Sequence, residues 1–241
     1  GQMYPDAVAG LNGLAAILTA LHHRDRTGEG QYVDLSMQEA NLTFIGDAWM
    51  EFVMTGHQRP RRGNRHPEFA PHGIYPCAGE GQWIAIACES EAQWRALCSA
   101  SGDRDWATDA RFANAALRKA NEEALDAAVA SWTTLQSRGN AVEGLLNGGV
   151  FAAPVLDAFE VAADERLRAR GMVVDVRHPE AGSWPQAVSP LQFSRSSERR
   201  IFHAPLHGQH SREVLAELLG WSDVEYETLE STGVSGMGPP D

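Results

Sequence analysis

"PDAVAGLNGLAAILTALHHRDRTGEGQYVDLSMQEA", residues 5–40, carries the grammar that decides the fold. From Ala7 to Arg26 the apolar residues Val8, Leu11, Leu14, Ala15, Leu18 and Leu21 recur at helical steps, which predicts a helix. "RTGEGQ" stops it, because Gly28 and Gly30 supply turn geometry and basic residues crowd the last turn. "QYVDLS" then alternates and predicts a short strand. Ser36 followed by Glu39 matches a capping box and opens a second helix through about Thr55. Helix, turn, strand, helix predicts an α/β layer.

The first helix begins with a bare carboxylate. Gly10 and Gly13 follow Asp6 at four and seven residues, so all three share one helix face. Beyond the carboxylate that face has almost no side chains, and a bulky ligand can approach the backbone closely. The helix dipole favours an ionised group in the first turn by about 0.3–1 kcal/mol. Two readings stay open on these residues alone: a functional carboxylate, or an ordinary N-cap followed by helix-contact glycines.

Residues 56–72, "GHQRPRRGNRHPEFAPH", have no period and read as an interdomain linker. "GIYPC" and "QWIAIAC" follow as strands around the turn "AGEG". Helices are predicted at about 91–101 and 117–147, with Gly102 and "SRGN" as breakers. "GVFAAPVLD" predicts a short helix, and "MVVDVRH" with "SWPQAVS" a strand pair. Helices at about 211–219, capped by Ser211, and at 222–231 precede a frayed tail, "STGVSGMGPPD".

The 241 residues are 43% hydrophobic and 22% charged, which supports one large domain or two smaller ones. No apolar run approaches the roughly 18 residues that span a bilayer. A net charge of −12 argues against nucleic acid or an anionic membrane as partner. Cys77, Cys88 and Cys98, an odd count without CxxC spacing, fit a reducing cytoplasm rather than a disulfide framework, with core packing expected of Cys88 and Cys98. His203, His207 and His210 are separated by Pro205, Gly208 and polar residues and read as surface groups, with no metal site expected. His22 and His23, near the end of the first helix, read as dipole partners or surface residues. Arg59, Arg61, Arg62 and Arg65 form the dense basic cluster of an acidic chain, suited either to a phosphate or to surface acids.

Taken whole, residues 5–40 closely resemble the class III CoA-transferases, the CaiB/BaiF family. The pattern is Asp, three residues, Gly, an apolar helix, a T-G-x-G-Q turn, a V-D strand and a helix opening S-M. The resemblance continues in residues 71–97, 149–179 and 204–220, in order, over nearly the whole chain. It implies an α/β fold with part of a large α/β domain, residues 1–64 and 168–241, and a smaller α+β domain at 65–167. It implies an interlocked dimer for the full-length enzyme, and a chain that is the C-terminal portion beginning at the catalytic aspartate. The partner would then be a second copy or the missing N-terminal half, which supplies most coenzyme A contacts in the family.

By resemblance, Asp6 is the catalytic aspartate and coenzyme A a substrate, with no permanent cofactor. A carboxylate suits this reaction: an aspartate ionises near 3.9 unperturbed and needs no general base. Its mixed anhydride and CoA thioester are chemically akin to substrate and product. The oxyanions formed on the way call for N–H donors, which a helix start or glycine loop supplies. The family's loop at the entry of the small domain falls on Ala70, Pro71 and His72, which the resemblance implies as substrate-binding. Here "PEFAPHG" stands where consecutive glycines are common. An α-methylacyl-CoA-type racemase shares the fold and the aspartate, with Glu91 at a position where racemases also carry glutamate. A non-catalytic partner subunit is the third reading.

Overall fold

In a computed structural model, which describes residues 4–102, 104–195 and 201–236, the chain divides between Phe69 and Ala70 into two units.

The first unit is helical. Helix α1 (Tyr4–Thr27) ends where Gly28 takes φ 79° and its N–H reaches Arg24 O at 2.8 Å, with Arg24 and Arg26 at the negative end of the dipole. Residues 29–36 form neither helix nor strand, which corrects the strand expected at "QYVDLS". Alternation alone does not make a strand: this unit's described residues contain no second strand to pair with it, and Tyr32 is exposed. Ser36 Oγ accepts the Glu39 N–H at 3.3 Å and caps α2 (Met37–Phe44). The single helix expected through Thr55 is broken at Ile45, whose ψ of 21° leaves the helical range, and resumes as α3 (Gly46–Thr55). Gly56, at φ 72°, closes it. Among the described residues of this unit, Val8, Ala9 and Ala40 are buried, while Leu11, Leu14, Ile17 and Leu18 on α1 are each more than half exposed. The periodic apolar face is real, and α2, which packs on α1, leaves it largely open.

The second unit starts with a β-hairpin. Strands β1 (His72–Pro76) and β2 (Trp83–Ala87) pair antiparallel, Ile74 opposite Ala85. Gly79 and Gly81 hold the positive φ that the turn between them requires. A block of helices follows: α4 (Glu91–Ser101), α5 (Arg104–Thr108), a 3-10 turn (Ala110–Phe112), α6 (Ala115–Ala120), α7 (Glu122–Thr133) and α8 (Arg138–Asn147). The break before α8 falls ahead of "SRGN": Ser137 caps the helix by accepting the Asn140 N–H, so Gly139 lies inside the first turn rather than breaking it.

Strand β3 (Phe151–Val155) then returns to pair antiparallel with β2, Ile84 opposite Pro154, giving the order β1-β2-β3. This corrects the helix expected at "GVFAAPVLD". Its alanines hid a strand, and Pro154 fits because β3 is an edge. One core joins the sheet to the helices, with Ile84, Leu97, Leu125, Val129 and Leu145 wholly buried.

Helices α9 (Ala158–Ala163) and α10 (Glu165–Ala169) lead to the hairpin β4 (Val173–His178) and β5 (Gly182–Ala187), the strand pair expected from sequence. Helices α11 (Ser211–Leu219) and α12 (Asp223–Ser231) close the described chain. Ser211 is the first residue of α11 and His210 stands at its cap, a shift of one from expectation. Ser222 caps α12 in a reciprocal box with Glu225. Residues 237–241 of the tail lie outside the described residues.

Candidate active site

Asp6 lies in the first turn of α1, its side chain exposed. Among the described residues no hydrogen bond or ion pair engages its carboxylate, so it does not act as a cap. One turn on, a Cβ built at Gly10 would meet nothing within 4 Å, so the backbone there is open to approach. Gly13 is closer to its surroundings, with Leu35 Cδ2 3.5 Å from the place of a Cβ. The face predicted from spacing thus carries an exposed carboxylate, with open backbone one turn on at Gly10 and a filled position at Gly13.

Ala70, Pro71 and His72 belong to the second unit and form the entry to β1. Ala70 and Pro71 are buried, joined by a cis peptide bond, and His72 is half-buried. The buried Arg118 donates Nε to Ala70 O at 3.3 Å, and the Cys88 N–H reaches Pro71 O at 3.0 Å. His72 then faces Ala87 in the ladder. The backbone of each residue of this segment thus has a hydrogen-bonding or ladder partner.

Arg118 is the residue that sequence reasoning missed. It is 3% exposed, its Nη2 donates to Glu91 Oε1 at 2.6 Å, and its guanidinium lies 4.9 Å over the Trp94 ring. The Arg118 fork holds the Glu91 carboxyl below the usual carboxylate range. Nothing local marked it, because Arg118 and Lys119 stand side by side in Ala115–Ala120 and read as an ordinary solvated pair.

The basic cluster is partly spoken for. Arg59 pairs with Asp47 at 2.6 Å and with Glu51, and His57 also meets Glu51 at 2.6 Å. All three cysteines are buried, and burial pushes the Cys88 thiol up to about 12. Among the described residues no group of three or more His, Cys, Asp or Glu is arranged to hold a metal ion. His203 Nδ1 instead bonds Ala204 O, and its ring meets His178 edge-on. A cleft of about 630 Å³ beside the start of α8 is lined by Arg138, Val142, Leu146 and Pro154 and includes none of the predicted site residues.

The profile of CoA-transferase family III matches residues 1–211. The chain belongs to CoA-transferase family III. It is 33% identical over 228 residues to a probable CoA-transferase of Mycobacterium tuberculosis, covering 94% of this chain and 28% of that protein. It is 31% identical to the succinyl-CoA–D-citramalate CoA-transferase of Chloroflexus aurantiacus, covering 95% and 57%. It is also 29% identical to a formyl-CoA:oxalate CoA-transferase of Rhodopseudomonas palustris, covering 100% and 60%. A solved CaiB/BaiF family protein from Brucella suis matches with a TM-score of 0.81 at 30% identity, covering 90% of this chain and 56% of that one. This family III chain therefore spans 28–60% of the lengths of these relatives. In it, no helix among the described residues is long and apolar enough to cross a membrane.

Proposed function

We propose that the complete protein transfers coenzyme A from an acyl-CoA to a free carboxylic acid, with Asp6 as the covalent carrier. The observation that carries this reading is the exposed, unengaged Asp6 carboxylate one turn before the open backbone of Gly10, on a chain of this family. A carboxylate oxygen of Asp6 attacks the donor thioester carbonyl, the C–S bond breaks and CoA thiolate leaves, giving a mixed anhydride. The thiolate then attacks the aspartyl carbonyl and releases the donor acid, leaving an aspartyl-CoA thioester. The acceptor carboxylate repeats the two steps in reverse, forming its own acyl-CoA and freeing Asp6. The relatives named above are named for several different acid pairs, which supports the class, a small carboxylic acid.

The same proposal gives substrate contact to Ala70, Pro71 and His72, with His72 the half-exposed side chain and the buried pair before it setting its place. It treats residues 1–64 and 168–241 as parts of one large domain in the complete enzyme and 65–167 as the small one. In support, the buried core of the second unit lies wholly within residues 70–150, and the β4–β5 hairpin and last two helices contribute nothing to it. The complete enzyme is proposed to be cytoplasmic and an interlocked homodimer, with the open apolar face of α1 in support of association.

The test is to trap the intermediate. The complete enzyme, incubated with acyl-CoA and hydroxylamine, is expected to carry a hydroxamate at Asp6 by mass spectrometry. Asp6→Asn is expected to abolish transfer while leaving fold and CoA affinity intact. Normal turnover in the Asn variant overturns the assignment. Exchange of the α-proton with deuterium, without an adduct, assigns the site to a racemase instead; the ion pair that holds Glu91 in its charged form speaks against that use of it.

A further inference from the structure

We propose that Arg118, clamped by Glu91, is the positioning residue that sets the geometry of the Ala70–His72 segment for substrate. The inference rests on the assignment of substrate contact to that segment, and goes beyond it by naming what holds the segment in place.

Arg118 lies among few buried charged side chains in the described structure. A guanidinium taken out of water is costly unless its donors are met, and an apolar side chain of similar volume serves packing as well or better. What arginine adds is a rigid planar fork that fixes several partners at once. Here all three nitrogens of the fork are engaged. Nε reaches Ala70 O at 3.3 Å, Nη1 reaches Phe112 O at 3.2 Å and Glu91 Oε2 at 3.3 Å, and Nη2 reaches Glu91 Oε1 at 2.6 Å. Glu91 supplies the counter-charge from a half-exposed position at the start of α4, and Trp94 on the same helix covers the cation.

The direction of the bonds matters. Ala70 precedes a proline, which has no N–H, so the segment's backbone cannot be held by an uninterrupted ladder. The Cys88 N–H takes the Pro71 carbonyl and the ladder takes His72, while the Ala70 carbonyl takes its donor from a side chain 48 residues along. Without that donor a buried carbonyl is left unmet, and the segment loses the anchor that precedes Pro71. His72, half-buried at the end of that anchored run, is the group whose placement follows.

Lysine in place of Arg118 keeps the charge but cannot reach Ala70, Phe112 and Glu91 together. In the complete enzyme, Arg118→Lys is expected to raise KM for acyl-CoA about tenfold with a smaller change in kcat, at a circular-dichroism spectrum like wild type. His72→Ala is expected to raise KM similarly, and the double variant no further than the worse single one, because both act through one segment. The hydroxamate at Asp6 is expected to form in every variant. An unchanged KM in Arg118→Lys beside a raised KM in His72→Ala overturns the positioning role alone. An unchanged KM in His72→Ala overturns the substrate-contact reading beneath it. Additive effects also overturn the proposal. Should Arg118→Lys fail to fold, Glu91→Gln, which loosens the clamp from its exposed end, carries the same cycle.

Discussion

Tyr75 on β1 donates its hydroxyl to Asp126 Oδ1 on α7 at 2.8 Å, joining strand and helix across 51 residues of chain. Tyr75 is 3% exposed, and burial together with the Asp126 charge pushes its phenol well above the ordinary range, so the proton stays on the tyrosine. Tyr75→Phe removes the donor and keeps the ring. The expected loss is about 1–2 kcal/mol, read as a lower urea midpoint at unchanged m-value. An unchanged midpoint would show that the bond adds nothing net.

Leu145 and Leu146 are neighbours on α8 with opposite fates. Leu145 is wholly buried against β3 and the sheet, while Leu146 is 53% exposed. Leu145→Ala is expected to cost about 2–5 kcal/mol through lost burial and a residual cavity, and Leu146→Ala within about 0.5 kcal/mol. Thermal melts of the two variants check the register of this helix: equal losses would place its buried face wrongly.

The cysteines give a chemical test. Cys88 is buried with its thiol pushed up to about 12, and burial raises Cys77 as well. Thiolate is the reacting form, so iodoacetamide at pH 8 is expected to leave Cys77, Cys88 and Cys98 unmodified in the native protein and to label all three in denaturant. Rapid native labelling of Cys88, read by peptide mass spectrometry, would contradict its placement.

Asp164 caps α10, accepting from the Arg166 and Leu167 N–H groups and pairing with the Arg166 side chain at 2.7 Å. These bonds hold its carboxyl down at about 2. A depressed value in the folded state means the charge contributes stability above the unfolded value near 3.9, and loses it as pH falls through about 2. Asp164→Asn keeps a capping oxygen without the charge. Melting temperatures of the two proteins are expected to differ at pH 6 and to converge as pH falls below 4. A constant difference would mean that shape, not charge, sets this cap.

The long helix, the hairpin of residues 72–87, the pair of strands at 173–187 and both C-terminal helices were legible because their signals are local: period, cap or turn glycine. The missed pieces depend on distant partners. "QYVDLS" alternates like a strand but finds none to pair with, whereas "FAAPV" looks helical and is drawn into the sheet by β2. At the candidate site, the spacing of Asp6 to Gly10 left two readings open, and the catalytic role was implied only by the family resemblance of residues 5–40. Arg118 was not legible, because nothing at positions 115–120 announces a carbonyl waiting at Ala70.

The central strand β2 gains one neighbour across a glycine turn and the other only after five helices have been made. During synthesis, then, "WIAIA" spends a long interval with one open edge, and it has high β-propensity with neither charge nor proline. Such a segment templates pairing with any passing chain until β3 arrives, and β3 brings Pro154 to the edge it leaves behind, where further pairing is blunted. A nascent chain or truncated product that stops short of residue 151 keeps that template exposed. Its hazard is aggregation on the ribosome or in the test tube, set by the order in which strands emerge.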